Sequence, residues 1–166
     1  RPRLLVVTDI DEARLQRAAR IYTVEEARRC GVELHYVNTR DEGSTQKLMA
    51  LSGGKGYNDV LVMAPVRSVI EQGDSILCKD GCLNFFAGPT DPNFSASFNF
   101  YNVHYSFTHI VGTSGGNNDD MRESLDMMSK GLINPTSMIT HVGGLDSVVE
   151  ATLHLPEIPG GKKLIY

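Results

Sequence analysis

The chain has 166 residues, of which 41% are hydrophobic and 22% charged, and its formal net charge is −4 at pH 7. These totals fit one globular domain with a real core. Because both charge signs are mixed and no apolar run approaches 18 residues, nothing supports nucleic-acid binding or a membrane span. Three cysteines without a CxxC pair are typical of a reduced cytoplasmic protein. Cys78 and Cys82 have the spacing of half a zinc site, but no other cluster completes it.

The first half of the chain alternates between strand and helix patterns. The apolar run LLVVT ends at Asp9, and Asp11 is placed to cap the helix that follows. Thr23 and Glu26 have the spacing of a capping box, which starts a second helix. In chain order we predict a strand at 4–9, a helix at about 12–22, a short helix after 23–26, a strand at 32–38 and a helix at 44–51.

The second half continues this alternation. We predict a strand at 59–65, a helix at 67–78, a strand at 82–89, a long connection at 90–103, a strand at 105–112, a helix at 119–131, a strand near 137–142, a helix near 145–155 and a last strand near 162–166. Strands that alternate with helices of about ten residues indicate right-handed βαβ units. The predicted fold class is therefore α/β, with a doubly wound parallel sheet.

Asp9 is the residue that most clearly points to function. Ligands of an open parallel sheet lie beyond the carboxyl ends of its strands, and a carboxylate there accepts hydrogen bonds from the ribose hydroxyls of adenosine. At about 4 Å and an effective dielectric near 20, it repels a 2′-phosphate by roughly 4 kcal/mol, on the order of a thousandfold in affinity. Asp9 therefore favours NAD over NADP.

Two observations leave alternatives open for this strand end. Arg14, one turn into the helix, is placed either to stack on adenine or to compensate a phosphate. Asp9 and Asp11 together also fit a pair of competing helix caps, which would need no ligand.

The glycine motifs do not complete a dinucleotide site. The fingerprint GxGxxG stands about 20 residues before the acid, and only eight residues precede Asp9. We therefore expect the chain to begin inside a domain whose first strand and glycine loop lie upstream, which leaves strands 4–9 and 59–64 each with a free edge. SGGKGY lacks the Ser or Thr of a phosphate loop after Lys55. VGTSGGNNDD places Asp119 and Asp120 where a phosphate needs positive potential, so this turn suits the uncharged nicotinamide half of a cofactor.

Several segments resemble the medium-chain, zinc-type alcohol and polyol dehydrogenases. They are VVTDIDEARLQRA, GYNDVLVMAPV, GCLNFFAGP, HIVGTSGGNNDDMRESLDMMSKGLINPTSMITHVGGLDSVVEA and GGKKLIY. The resemblance covers nearly the whole chain, and SKGLINP followed by ITH and LDSVVEA is its most specific part. Within the family, the branch of L-sorbose-1-phosphate reductase and sorbitol dehydrogenase is most similar.

The resemblance implies a Rossmann-type cofactor domain at 1–134, truncated at its N-terminus. Residues 135–166 would return toward a catalytic domain that this chain lacks, and zinc is expected only in that domain. None of the five histidines has metal-ligand spacing, and His141 is interpreted as structural. We therefore assign no catalytic residue and no metal ligand to this chain.

The resemblance also implies a set of cofactor contacts. They are Asp9 at the ribose, Ile10 beside adenine, Arg14 near the adenosine ribose, Ala64 on the adenosine side, Ala87, Gly88, Gly112 and Thr113 at the nicotinamide end, and Lys163 near the pyrophosphate. Strand 105–111 resembles the edge through which these enzymes pair into homo-oligomers, and no charge blocks that edge.

The leading hypothesis is the cofactor-binding part of an NAD-dependent, zinc-type dehydrogenase that acts on a polyol or sugar phosphate by hydride transfer. The chain alone is then expected to be inactive. The alternative is a non-catalytic Rossmann-like module that binds a nucleotide or a protein. A weaker third possibility is a phosphosugar-binding domain that uses GTSGGNN as its phosphate turn.

Overall fold

A computed structural model describes all 166 residues. The chain forms two compact units, Arg1–Ser114 and Gly115–Tyr166. The domain boundary predicted at 134/135 falls inside the second unit, and it stays a prediction. No helix is long and apolar enough to cross a membrane.

The first unit alternates strands and helices as the sequence predicts. Its elements are β1 (Leu4–Asp9), α1 (Glu12–Ile21), α2 (Val24–Arg29), β2 (Glu33–Asn38), α3 (Ser44–Leu51), β3 (Tyr57–Val62), α4 (Arg67–Ser75), β4 (Leu77–Phe85), α5 (Phe100–Tyr105) and β5 (His109–Gly112). Strands β1 and β2 form one sheet, and β3, β4 and β5 form another, with every pair parallel. The predicted class, an α/β fold with parallel sheets, is confirmed.

The second unit is smaller. It contains α6 (Asn118–Ser129), a 3₁₀ turn at Pro135–Met138, β6 (Ile139–Gly143), a second 3₁₀ turn at Leu145–Ser147, α7 (Val148–Leu153) and β7 (Lys162–Ile165). Strands β6 and β7 are a parallel pair. Both strands and both helices lie where the sequence predicts them, although each is shorter than its predicted range.

The prediction of one strand at 105–112 is wrong over its first half. Tyr105 ends α5, and the strand begins only at His109. The side chain of Asn99 caps α5, because its oxygen accepts hydrogen bonds from the backbone amides of Tyr101 and Asn102. This local cap outweighs the β propensity of the aromatic residues that follow it.

Strand β4 also differs from its prediction, since it begins at Leu77 and ends at Phe85 rather than spanning 82–89. Its parallel register with β3 shifts between Tyr57 and Asp59. Asp80, at the centre of this irregular stretch, has a positive φ of 60°. At Gly81 a Cβ atom would lie 2.8 Å from the carbonyl oxygen of Cys78, so the stretch needs glycine there.

Two small clusters of buried side chains form the core of the first unit. One contains Val37, Leu48 and Ile76, and the other contains Val62, Ile70 and Leu83. Gly73 lets α4 approach the sheet closely, because a Cβ atom there would lie 3.0 Å from Cδ1 of Leu83. The first cluster draws on β2, α3 and the end of α4, so it joins the side of the unit that carries β2 to the side that carries β4.

The unpaired edges predicted for β1 and β3 are confirmed. The two strands do not pair with each other, although they belong to one compact unit. A cavity of about 1260 Å³ is lined by Leu4–Val6 and Thr8 from β1 and by all of β3. Its size and its two strand edges fit the space that a central parallel strand would fill.

We expect hydrogen exchange to separate the two sides of β1. The carbonyls of Arg3 and Asp9 accept hydrogen bonds from the amides of Glu33 and Thr39, so the N–H and C=O groups of the odd-numbered residues of β1 point toward β2. The amides of Val6 and Thr8 therefore face the cavity. We expect them to exchange about tenfold faster than the amides of the odd-numbered residues of β1. Amide exchange of the 166-residue chain, read by nuclear magnetic resonance, checks this. Equal protection on both sides would show that another segment pairs with β1.

Candidate functional site

Asp9 and Asp11 have different tasks at the end of β1. Oδ1 of Asp11 accepts hydrogen bonds from the amides of Ala13 (2.9 Å) and Arg14 (3.3 Å), which makes Asp11 the N-cap of α1. Oδ1 of Asp9 accepts a bond of 2.9 Å from the amide of Asp11. This Asx turn fixes the Asp9 carboxylate without using it to cap the helix. The interpretation as helix caps therefore holds for Asp11 and fails for Asp9.

Arg14 lies beside both carboxylates. Its Nη1 is 3.9 Å from Oδ2 of Asp9, and its Nε is 3.5 Å from Oδ2 of Asp11. The arginine side chain is 75% exposed and that of Asp9 is 29% exposed. Solvent weakens such an ion pair to about 1 kcal/mol or less, so Arg14 leaves the Asp9 carboxylate available to a ligand.

A pocket of about 360 Å³ lies at the carboxyl ends of β1 and β2. Its lining residues are Ile10, Asp11, Glu12, Arg14, Asn38 and Arg40. The parallel register pairs Asp9 with Asn38, and the amide of Thr39 donates a 3.1 Å bond to the carbonyl of Asp9. Two predicted site residues, Ile10 and Arg14, therefore line this pocket, and Asp9 lies beside it.

Arg40 was not among the predicted site residues. It stands two positions beyond β2 and belongs to no motif. The only signal in the sequence was the polar Asn38 at the end of a predicted strand. In the structure, Oδ1 of Asn38 accepts a 3.0 Å bond from the amide of Arg40, and this bond places Arg40 at the pocket.

A second group of predicted residues lies at the carboxyl ends of β4 and β5. Gly112 pairs with Phe85, and the amide of Thr113 donates a 3.3 Å bond to the carbonyl of Phe85. The Thr113 hydroxyl donates a 2.9 Å bond to Oδ1 of Asn84. Ala87 is buried and its amide bonds to the carbonyl of Val62, which brings the end of β3 to the same place.

Three of the predicted site residues at this edge of the sheet are small, namely Ala64, Gly88 and Gly112. A Cβ atom built on Gly88 or Gly112 would meet no protein atom within 4 Å. Packing within the chain therefore does not require glycine at either position, and both leave flat backbone accessible. The carbonyl of Ala64, beyond β3, accepts a bond from the amide of Val66 and so begins the turn into α4. These positions fit a flat ligand that approaches the backbone.

An extended segment fastened to α4 continues from Gly88. Phe94, Ala96 and Phe98 pack on the cluster that contains Leu83. The backbone amides between and beyond them face carboxylates of α4: Ser97 donates to Glu71 (3.0 Å) and Asn99 to Asp74 (2.9 Å). Oδ1 of the buried Asp74 has no hydrogen-bond partner. These contacts fix the path of the chain that leaves the end of β4.

Lys163 and His141, the other residues considered in the sequence, make polar contacts with residues close to them in the chain. Nζ of Lys163 donates to the carbonyl of Gly161 (2.8 Å) in the second unit. Nδ1 of His141 contacts the hydroxyl of Thr140 (2.9 Å). No three His, Cys, Asp or Glu side chains meet in a group that could hold a metal ion. The residues of this chain therefore do not form a zinc site.

The turn before α6 does not fit a phosphate. The side chain of Asn117 accepts hydrogen bonds from the amides of Asp119 (2.7 Å) and Asp120 (3.1 Å), and the Asp120 carboxylate accepts one from the amide of Asn117 (2.7 Å). The first amides of this helix are thus satisfied by side chains, one of which carries negative charge. This geometry weakens the hypothesis of a phosphosugar site in GTSGGNN.

Comparison with known proteins gives consistent matches. Residues 5–130 match the profile of a family described as Zinc-binding dehydrogenase. The chain is 56% identical to mannitol-1-phosphate 5-dehydrogenase of Aliivibrio fischeri, covering 100% of this chain and 40% of that protein. It is 48% identical to L-sorbose 1-phosphate reductase of Klebsiella pneumoniae, covering 99% and 39%. The chain thus spans about two fifths of the length of these relatives.

Solved structures agree on the fold. Benzyl alcohol dehydrogenase of Acinetobacter calcoaceticus aligns with a TM-score of 0.74 at 18% identity, covering 98% of this chain and 42% of that one. The 2R,3R-butanediol dehydrogenase of Bacillus subtilis aligns with a TM-score of 0.73 at 13% identity, covering 93% and 41%. At these identities the likeness shows the fold alone, which is of the Rossmann type.

We expect Asp11→Ala to destabilise the chain by about 1 kcal/mol, because it removes the N-cap of α1. Asn is also a good N-cap, so Asp11→Asn should retain most of the stability. Urea unfolding followed by circular dichroism measures both variants. A loss as large for the Asn variant as for the Ala variant would contradict capping as the role of Asp11.

Proposed function

The chain belongs to the zinc-binding dehydrogenase family, and we propose that it is the cofactor-binding part of an NAD-dependent enzyme that oxidises or reduces a polyol or sugar phosphate. The observation that carries this proposal is the carboxylate of Asp9 at the end of β1, beside an open pocket. An acid in this position recognises the ribose hydroxyls of a dinucleotide.

The preference for NAD follows from the surroundings of Asp9. Its Oδ1 is held by the amide of Asp11, while its Oδ2 meets only Arg14, at 3.9 Å. Oδ2 is therefore left to accept hydrogen bonds from ribose hydroxyls. A 2′-phosphate would meet this negative charge, and Arg14 offsets little of the repulsion because it also contacts Asp11.

The nicotinamide half would lie at the open edge formed by β4 and β5. Gly88 and Gly112 leave room for a flat ring, and Thr113 is held in place by its bonds to Phe85 and Asn84. The reactivity in hydride transfer is that of the cofactor, and the residues here would bind and orient its ring. No residue of this chain is assigned a catalytic role.

The substrate class rests on the two relatives, whose names specify mannitol-1-phosphate and L-sorbose 1-phosphate. A polyol phosphate and a ketose phosphate are the alcohol and carbonyl forms of one kind of molecule, and an enzyme can interconvert them by transferring a hydride from the alcohol carbon to NAD with release of the hydroxyl proton, or by the reverse. Zinc, which the family description implies, does not fit the residues of this chain. We propose that residues outside this chain hold it.

Homo-oligomers through β5 and a cytoplasmic location are also part of the proposal. Strand β5 pairs with β4 on one side only, and His109–Gly112 are all exposed. The proposed pairing edge is thus four residues long, shorter than the predicted 105–111. Tyr101 and Tyr105 of α5, which precedes β5 in the chain, are also exposed.

The cofactor preference is tested with Asp9→Ala in the full-length enzyme. The wild type should bind NAD on the order of a thousandfold more tightly than NADP. The variant should bind the two with similar affinity, because the charge that repels the 2′-phosphate is gone. Fluorescence titration with both reduced cofactors measures this.

Asp41→Ala is the matched control, since it removes an exposed acid in the loop after β2 and should keep the preference of the wild type. Equal affinities for NAD and NADP in the wild type would contradict the proposal that Asp9 makes the enzyme prefer NAD.

Activity of the full-length, zinc-loaded enzyme tests the broader proposal. With NAD and a range of polyols and polyol phosphates, we expect NADH to form with a phosphorylated substrate, read by absorbance at the nicotinamide band. Failure with every polyol and polyol phosphate, while the protein is folded and holds zinc, would favour the alternative of a non-catalytic nucleotide- or protein-binding module.

A further inference from the structure

We propose that Arg40 is a further cofactor-binding residue, which stacks its guanidinium on the adenine ring of NAD in the pocket at the ends of β1 and β2. This inference rests on the proposed function and extends it to a residue outside the predicted site. Three features of the structure support it: the position of Arg40, its lack of ionic partners and the apolar surface that shares its pocket.

The backbone holds Arg40 close to the proposed ribose acid. The amide of Thr39 donates to the carbonyl of Asp9 (3.1 Å), and the amide of Arg40 donates to the side chain of Asn38 (3.0 Å). These two bonds fix consecutive residues beyond the end of β2. Arg40 therefore lines the same pocket as Ile10, the residue that follows Asp9.

The charged groups around this pocket are engaged, except for Arg40. Arg14 contacts the carboxylates of Asp9 and Asp11. Glu12 accepts bonds from the side-chain amides of Asn38 (3.1 Å) and Gln16 (3.4 Å). The guanidinium of Arg40 has no hydrogen bond or ion pair and is exposed. It is therefore free to contact a ligand without giving up an existing partner.

The lining suits a flat, uncharged aromatic ring. Ile10 is 55% exposed and presents an aliphatic surface, while a guanidinium is planar and stacks on aromatic faces. Ile10 and Arg40 line the same pocket, so the pocket contains both an apolar surface and a cationic group that can contact adenine. A 2′-phosphate fits less well, because Asp11 and Glu12 line the same space.

The test compares ligands that carry different halves of NAD. The full-length enzyme is titrated with AMP, nicotinamide mononucleotide, NAD and NADP, by calorimetry, for the wild type, Arg40→Ala, Arg40→Lys and Arg20→Ala. We expect Arg40→Ala to weaken AMP and NAD binding about three- to tenfold and to leave the mononucleotide unchanged. Arg40→Lys should restore little, because an ammonium does not stack as a guanidinium does.

Arg20→Ala is the matched control, since it removes an exposed arginine from the last turn of α1 and should bind every ligand like the wild type. AMP and NAD binding unchanged in Arg40→Ala would overturn the role of Arg40. A loss confined to NADP and restored by lysine would also overturn it, since Arg40 would then serve a phosphate. A wild type that binds neither AMP nor NAD would instead overturn the proposed function itself.

Discussion

The candidate site depends on the parallel pairing of β1 with β2. The bond between the amide of Thr39 and the carbonyl of Asp9 extends this pairing past the ends of both strands. It brings Asn38 and Arg40, which are some 30 residues from Asp9 in sequence, to the pocket beside it. A register slip of one residue would break the bond between Thr39 and Asp9, turn the Asn38 side chain to the other face of the sheet, and carry the local turn that holds Arg40 away from the pocket. Register thus decides which polar side chains meet at this pocket.

Because one edge of β1 and one edge of β3 are unpaired, the two sheets of the first unit are connected by packed side chains. With no strand between β1 and β3, the two sheets share no ladder of hydrogen bonds. Their connection instead runs through side chains, since Ile76 from the end of α4 packs with Val37 of β2 and Leu48 of α3. A central strand in the cavity would add two ladders of hydrogen bonds and bury the surface of Leu61, now 61% exposed. Each of the two sheets therefore has an open edge with which an additional strand could pair.

The sequence predicted the features that depend on local pattern and missed those that depend on register or a single cap. The sequence pattern predicts the alternating strands, the N-cap at Asp11 and the capping box of Thr23 and Glu26. The structure contains all of them. Helix α5 was missed because its first residues were predicted as part of the connection at 90–103 and Tyr105 as the start of a strand, although Asn99 was a usable cap signal. Arg40 was missed for a different reason: its position follows from a side-chain turn at Asn38 and from pairing with a distant strand, and neither forms a motif.

The acidic side chains at the end of β1 have different hydrogen-bond partners, which the sequence alone does not reveal. Three acids, Asp9, Asp11 and Glu12, stand almost side by side, and as a cluster they suggest only a negative surface. In the structure, Asp11 is committed to the amides of α1 and Glu12 to side-chain amides, which leaves Asp9 with one oxygen that meets only a weakly held arginine. A ligand with hydroxyl donors can satisfy that oxygen, whereas a ligand with a phosphate there cannot. In the proposed site, discrimination between NAD and NADP would therefore be concentrated in the Asp9 carboxylate, because the neighbouring acids already bind groups of this chain.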